Sequence, residues 1–374
     1  MPALFAMAEA TGASGSDLVC AIFLAYEVAA CFARIAPVAQ GWYDQGIYCA
    51  LGTAAGMAKI LRLDRQRTAH SIALAAVPNI PLRVTRSGEL SSWKACATPY
   101  ATMAAALACR LAERGVTGPA EPFTGRNGLL GDVFPTTAPR LFVSRGDSGI
   151  AQARVKLYPA CYWSQSAIAA AVQLRAMVRD IEDVRTIQVS TWHKAWLSIG
   201  GGAGDDEIKR HPRTRETADH SLAYLVTSAL RDGRIDADTF ADKRLADTEL
   251  SAVLDRVFVS EDESFSRLVD ADPESQPCRV RVTLRGGRVF EQTLTEPPIT
   301  RTNPASDADL DRKFRAQVTR ALSPRDAAQL RDGLWNLDGE PSLDAIAALL
   351  RRFKATPERG TPSNTVAIGL HSLT

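Results

Sequence analysis

The chain carries almost no net charge: 44 Lys and Arg stand against 42 Asp and Glu, a formal +2 over 374 residues. No long-range field of one sign is available to gather nucleic acid or an anionic membrane surface, so recognition of an anion must be local. Histidine is scarce, with His70, His193, His211, His220 and His371 and no metal-ligand spacing among them. There is no GxGxxG after a strand, no Walker A loop, no HExxH and no GxSxG, which removes the usual supports for nucleotide, zinc and serine-hydrolase chemistry. The seven cysteines contain no CxxC pair. Most lie in apolar helical text and read as reduced thiols of a cytoplasmic protein.

No basic n-region follows Met1. The longest apolar stretch, near 21–36, carries Glu27 and Arg34 and reads as too short to cross a bilayer, which takes roughly 20 residues. The expected partners therefore include neither membrane nor nucleic acid.

What is present is Ala- and Leu-rich helix. From 2 to about 63 apolar residues recur at three- and four-residue spacing, with breaks at 11–16 and 40–46 where Gly, Ser and Asp collect. The first helix opens abruptly on Leu4, Phe5 and Met7, implying a partner surface from a missing element or a second subunit. Helices follow at 65–77, ended by Pro78 and Pro81, and at 95–114, with Gly115 as the C′ residue. Beyond the loop-like 118–131, strands are expected at 153–157 and 184–191, and a hairpin at 276–284 and 288–294 around Gly286-Gly287. Helices are expected at 164–178, 217–232, 307–322, 326–334 and 342–352. The fold class is mainly α: a large helical domain (1–145), a smaller α+β domain (146–302), C-terminal helices returning to the first domain (303–354) and a disordered tail (355–374).

Three segments could hold chemistry. The stretch 82–94 places Arg83, Arg86 and Lys94 among several hydroxyls, ending at a predicted helix N-terminus that favours an anion. A cation in that first turn opposes the dipole by about a few tenths of a kcal/mol, which points to a task for Lys94, although a solvated basic loop would look the same. The stretch 155–166 turns through Pro159 and could bring Lys156, Tyr158 and Gln165 together, but Lys at a strand end commonly reaches solvent and Tyr commonly fills core. The stretch 209–224 opens as a basic, exposed loop and continues with Asp219, His220, Ser221 and Tyr224 on one helix, His220 and Tyr224 sharing a face. Neighbours on one helix do not make a hydrolytic triad, which needs groups converging from different elements.

Several runs resemble, in order, the 2-methylcitrate dehydratase branch of the MmgE/PrpD family. They are Gly41-Trp-Tyr-Asp-Gln-Gly46, Arg83-Val-Thr-Arg-Ser-Gly-Glu-Leu-Ser-Ser-Trp-Lys94, Gly115-Val-Thr-Gly-Pro119, Lys156-Leu-Tyr-Pro159 with Gln165, Pro212-Arg-Thr-Arg-Glu-Thr-Ala-Asp-His-Ser-Leu-Ala-Tyr224, and the stretch from Asn303-Pro304 to Lys313-Phe314. The resemblance covers roughly 2–354. It implies a homodimer with its site between the two domains, and a lyase that needs no metal or cofactor and acts on a tricarboxylate. It assigns Lys94, Lys156 and His220 to catalysis, and Arg83, Arg86, Tyr43, Asp44, Gln45, Gln165 and Tyr224 to substrate binding. The chemistry agrees in kind: a ligand of charge near −3 needs cations, and elimination beside a carboxylate needs a base and an acid.

The resemblance also implies that the chain lacks the N-terminal helices of the family, whose Asp-Asp-Thr-His type motif has no counterpart here. The run 198–202 (Ser-Ile-Gly-Gly-Gly) departs from the family's more acidic text. The expected function is dehydration of 2-methylcitrate or a related hydroxy-tricarboxylate, as in propionate breakdown. A cis-aconitate decarboxylase-like lyase and a truncated, non-catalytic ligand-binding or dimer-partner protein stay open as alternatives.

Overall fold

The computed structural model describes residues 1–37, 43–134 and 148–353. The expected tail at 355–374 and the Gly41-Trp42 pair lie outside the described residues.

Five helices open the chain: α1 (Pro2–Thr11), α2 (Gly15–Ile35), α3 (Gly46–Ile60), α4 (Arg65–Ala76) and α5 (Trp93–Glu113). Gly12 ends α1 in the left-handed conformation, Ser14 caps α2 by accepting the Asp17 amide, and Asp64 caps α4 by accepting that of Arg67. Helices α2 and α3 pack almost backbone to backbone. A Cβ at Gly56 would come within 2.6 Å of the Ala21 carbonyl oxygen, and one at Gly52 would press into that of Ala25. Small residues on α3 thus set the spacing of the bundle.

The apolar segment is longer than the sequence pattern suggested, and α2 is long and apolar enough by length and composition to cross a membrane. Here it packs as a bundle helix: Leu18, Ala21 and Phe32 are buried, and the buried Glu27 carboxylate accepts the Ile150 amide at 3.1 Å.

The middle of the chain contains α6 (Gln165–Leu174), β1 (Val184–Thr191), α7 (His193–Ile199), α8 (Asp206–Arg210), α9 (Arg215–Ala218), α10 (Leu222–Asp232), α11 (Asp242–Leu245), α12 (Thr248–Leu254), β2 (Val257–Glu261), α13 (Glu263–Ala271), β3 (Cys278–Leu284) and β4 (Val289–Leu294). The strands form one sheet in the order β2-β1-β3-β4. β1 runs parallel to β2, with Ile187 opposite Val257, and antiparallel to β3, which pairs with β4 as the expected hairpin. Gly287 takes the positive φ of the turn. Ile187, Val189, Val280 and Val282 are all fully buried and pack with Ile168, Leu225 and Val226 of α6 and α10.

Two expectations change here. Residues 153–157 form no strand: Arg154 and Lys156 alternate with Val155 in exposed, irregular chain, leaving no face to bury. The strand β2 carried too weak a pattern to be expected, since only Val257 of its five residues is buried.

Helices α14 (Asp307–Val318), α15 (Pro324–Trp335) and α16 (Asp344–Leu350) close the structure. Leu343 joins Leu4, Leu18 and Met57 in one core, while Val318, Leu330, Ile346 and Leu349 form a second core against Phe5. The mainly α architecture, with a large helical domain completed by C-terminal helices and a smaller α+β unit, is thus as expected. The surface that buries Leu4 and Ala8 is supplied by α3, α5 and this returning segment.

Candidate active site

The loop before α5 is stitched to α9 through backbone groups. The buried Leu90 donates its amide to Thr217 Oγ1 at 2.9 Å and accepts from Thr214 Oγ1 at 2.7 Å. That double contact sets the second residue of α5, Lys94, against the end of α9. Its Nζ donates to Asp219 Oδ1 at 2.8 Å and to the Glu216 carbonyl at 3.3 Å, and lies 2.8 Å from His220 Nδ1. Asp219 also hydrogen-bonds His220 Nδ1. The cost of a cation at a helix N-terminus is therefore met by a carboxylate brought from elsewhere in the chain.

His220 does not share a helix face with Tyr224. The expected helix breaks after Ala218, and α10 restarts at Leu222 with Ser221 as its cap, accepting the Tyr224 amide at 3.0 Å. Asp219 and His220 lie on the corner between the two helices. Tyr224 turns into the core, where its hydroxyl donates to the Thr239 carbonyl at 2.5 Å. A Ser in mid-helix reads as a helical residue, whereas its capping power is expressed only when the chain restarts behind it.

The turn before α6 closes the other side. The Cys161 amide donates to the Asp219 carbonyl at 2.9 Å. Gln165, placed by resemblance among the substrate ligands, is buried and spent on its own loop: Oε1 accepts the Tyr158 amide at 2.9 Å, and Nε2 donates to the Tyr158 and Cys161 carbonyls, both at 3.2 Å. Lys156 is exposed and donates to the Ala160 carbonyl at 2.8 Å, while Lys313 Nζ reaches the Lys156 carbonyl at 2.6 Å.

Lys209 was missed. Read as part of an exposed basic loop, it is 3% exposed on α8, with Asp205 Oδ2 at 3.7 Å and with Lys94 within electrostatic range. The i,i+4 spacing of Asp205 and Lys209 was the available signal.

The electrostatics follow from this crowding. Burial pushes the Lys94 ammonium below its ordinary pKa, and Asp219 offsets only part of that. Lys209 is lowered in the same way, burial first, with Lys94 adding to it. For Asp219, burial acts upward but His220 and Lys94 outweigh it and hold the carboxyl below its usual range. For His220, burial acts downward but Asp219 and Cys161 outweigh it and raise the imidazole above its ordinary value. The site is a cluster of hydrogen-bond donors around one carboxylate.

The remaining residues assigned by resemblance lie around α3. Arg86, in the 3-10 turn Arg83–Arg86, holds the buried Asp44 along one guanidinium edge, Nε donating to Oδ2 and Nη2 to Oδ1 at 3.2 Å. Asp44 also accepts the Gly46 amide at 3.0 Å and donates its own amide to the Pro81 carbonyl at 2.7 Å. The pair is thus a brace at the start of α3, with Arg86 committed to a carboxylate of its own chain. Tyr43 stacks against Phe134 at 4.9 Å, and Gln45 and Arg83 are exposed.

Residues 1–141 match the MmgE/PrpD N-terminal domain, and residues 158–338 match the MmgE/PrpD C-terminal domain. The chain belongs to the MmgE/PrpD family. It is 27% identical to the 2-methylcitrate dehydratase of Cupriavidus necator over 321 residues, which cover 82% of this chain and 64% of that enzyme. The 2-methylcitrate dehydratase of Escherichia coli (strain K12) is 25% identical over 326 residues, 83% of this chain and 65% of that enzyme. The mitochondrial 2-methylcitrate dehydratase of Yarrowia lipolytica is 24% identical over 265 residues, 68% of this chain and 49% of the relative. The chain therefore spans less than two thirds of the length of these relatives.

Within the MmgE/PrpD match, Lys94 belongs to the N-terminal domain and Asp219 and His220 to the C-terminal domain. A separate cleft of about 350 Å³, lined by His211, Tyr224 and Ser251 among others, aligns Ser251 Oγ with His211 Nδ1 at 3.2 Å and His211 Nε2 with Asp255 Oδ1 at 2.9 Å. Ser251 lies inside α12, where the helix uses its amide to bond the Asp247 carbonyl, and the Asp255 side chain is 67% exposed. With its amide spent on the helix and the carboxylate behind His211 exposed, the serine does not read as a nucleophile.

Proposed function

We propose that the chain is a hydro-lyase that removes water from a hydroxy-polycarboxylate, 2-methylcitrate or a close relative, using its own acid and base groups without a metal or organic cofactor, as a cytoplasmic homodimer. The observation that carries this reading is the contact of Lys94 with Asp219 and His220, with the buried Lys209 within electrostatic range of Lys94. A substrate of charge near −3 loses hydration on entering such a site and needs ammonium partners in return. Lys156 and Lys94 are suited to carboxylates, and His220, whose imidazole Asp219 raises above its ordinary value against the effect of burial, is suited to give a proton to the departing hydroxyl. The three relatives named above are 2-methylcitrate dehydratases, which supports the same reaction class.

The test is direct: 2-methylcitrate is added to the purified chain, and the conjugated alkene is followed by absorbance and mass. The expected result is loss of water from the substrate. Carbon dioxide release from cis-aconitate would point instead to the decarboxylase reaction, and tricarboxylate binding without any product would point to a non-catalytic relative.

A further inference from the structure

A ligand with three carboxylates needs more cationic partners than the corner of Lys94 and His220 offers, because Asp219 already takes part of the Lys94 charge. A turn joined to that corner carries two more ammoniums. Lys156 Nζ donates to the Ala160 carbonyl at 2.8 Å, and Lys313 Nζ, reaching over from α14, donates to the Lys156 carbonyl at 2.6 Å. Among the described residues neither ammonium meets a carboxylate, so each keeps N–H donors for a ligand.

The turn itself is firmly held. Gln165 binds the Tyr158 amide and carbonyl at 2.9 and 3.2 Å, and the Ala160 amide donates to the Tyr158 carbonyl at 2.8 Å. The peptide unit between Ala160 and Cys161 faces both ways: its carbonyl accepts from Lys156, and its N–H donates to the Asp219 carbonyl at 2.9 Å. These two groups point in opposite directions in a planar trans peptide. A single peptide unit therefore separates the Lys156 ammonium from the backbone of Asp219.

Lys156 is exposed and Lys313 half-buried, so an anion can reach both from solvent. Burial lowers the Lys313 ammonium below its ordinary pKa, and the charge of Lys156 lowers it further. Like charges gathered on one turn disfavour each other. A ligand carboxylate held by both removes that cost and adds charge-assisted hydrogen bonds.

We propose that Lys313 and Lys156 form a paired-ammonium subsite that takes one carboxylate of the substrate, which makes Lys313 a substrate-binding residue supplied by α14. The identity of the ligand rests on the hydro-lyase reading. Because the turn is stitched to Asp219, the bound carboxylate lies on the side of the site across from Lys94, and α14 takes part in recognition as well as in closing the fold.

The test is calorimetric binding of tricarballylate, a tricarboxylate with no hydroxyl to eliminate, beside turnover of 2-methylcitrate. Lys313→Gln keeps an N–H donor but no charge, whereas Lys313→Arg keeps both. Lys313→Gln is expected to weaken tricarballylate binding and to raise KM by about tenfold, with added salt narrowing the gap and Lys313→Arg recovering most of the affinity. Lys156→Gln, on an exposed side chain, is expected to show the same loss, and the double variant to lose less than the two single losses combined. A tie that is only structural would lower the unfolding midpoint of Lys313→Gln and leave its affinity where it was. Unchanged affinity in both Gln variants, or a wild type that does not bind tricarballylate, overturns the subsite. Turnover with unaltered KM in Lys313→Gln overturns it too and leaves the hydro-lyase reading in place. Tricarballylate binding that depends on both lysines, in a wild type that turns over nothing, overturns the hydro-lyase reading and leaves the subsite standing.

Discussion

Lys94 Nζ lies 2.8 Å from Asp219 Oδ1, an ion pair that joins the helical body to the corner before α10 across 125 residues of sequence. The Lys94 side chain is 8% exposed and that of Asp219 25%, so the pair is shielded yet within reach of solvent on one side. His220, with Nδ1 2.8 Å from Lys94 Nζ, makes it the centre of the proposed site.

If Lys94 binds or polarises substrate, Lys94→Ala should reduce kcat by about 10²-fold or more while the circular dichroism spectrum stays that of wild type. Equal turnover in both proteins would remove Lys94 from the mechanism.

The pH dependence of stability should carry the signature of Asp219 and His220. Asp219 has a depressed pKa in the fold, so its contribution is present above the ordinary carboxylate value and lost as pH falls through the folded one. His220 has a raised pKa, so its contribution is present below the ordinary imidazole value and lost as pH rises through the folded one. Both are complete between about pH 4 and pH 6.5. The gap in unfolding midpoint between wild type and Asp219→Asn should be widest in that window and narrow on either side. A gap independent of pH would contradict the account.

How much of this was legible in the sequence differs from residue to residue. The helices from Pro2 to Glu113 and the β3–β4 hairpin follow from local periodicity and turn chemistry, which act within a few residues. The position of Lys94 at a helix start was legible for the same reason. The break at Asp219 was not, because Ser221 caps α10 only once the chain has turned to meet Leu90 and Lys94. Lys209 was equally hidden: burial among distant elements gives it its surroundings and leaves no local pattern. Gln165 and Tyr224 were credited with ligand roles by resemblance, whereas their polar atoms are used inside the fold.

Tyr224→Phe should therefore behave as a core change. Losing the bond to the Thr239 carbonyl should cost about 1 kcal/mol in denaturant unfolding, with KM and kcat unchanged. A raised KM at unaltered stability would return Tyr224 to the substrate site.

Arg86 and Asp44 should act as a unit. Arg86→Met leaves a buried carboxylate without its partner and should cost about 3 kcal/mol, and adding Asp44→Ala should recover part of the loss. Additive losses in the double variant would mean that the two side chains do not depend on each other.

Helix α5 presents Trp93, Tyr100, Met103 and Leu107 on one exposed face. We propose that a second copy of the chain covers this stripe. Light scattering should give a dimer for the wild type and a shift toward monomer for Leu107→Asp; a monomeric wild type would contradict the homodimer.

Dehydration at the corner formed by Lys94, Asp219 and His220 is read out by turnover of 2-methylcitrate followed by mass spectrometry. A product lighter than the substrate by one water is expected from the wild-type chain and nearly absent with Lys94→Ala. Unchanged 2-methylcitrate after incubation with a folded, tricarboxylate-binding wild-type chain would contradict it.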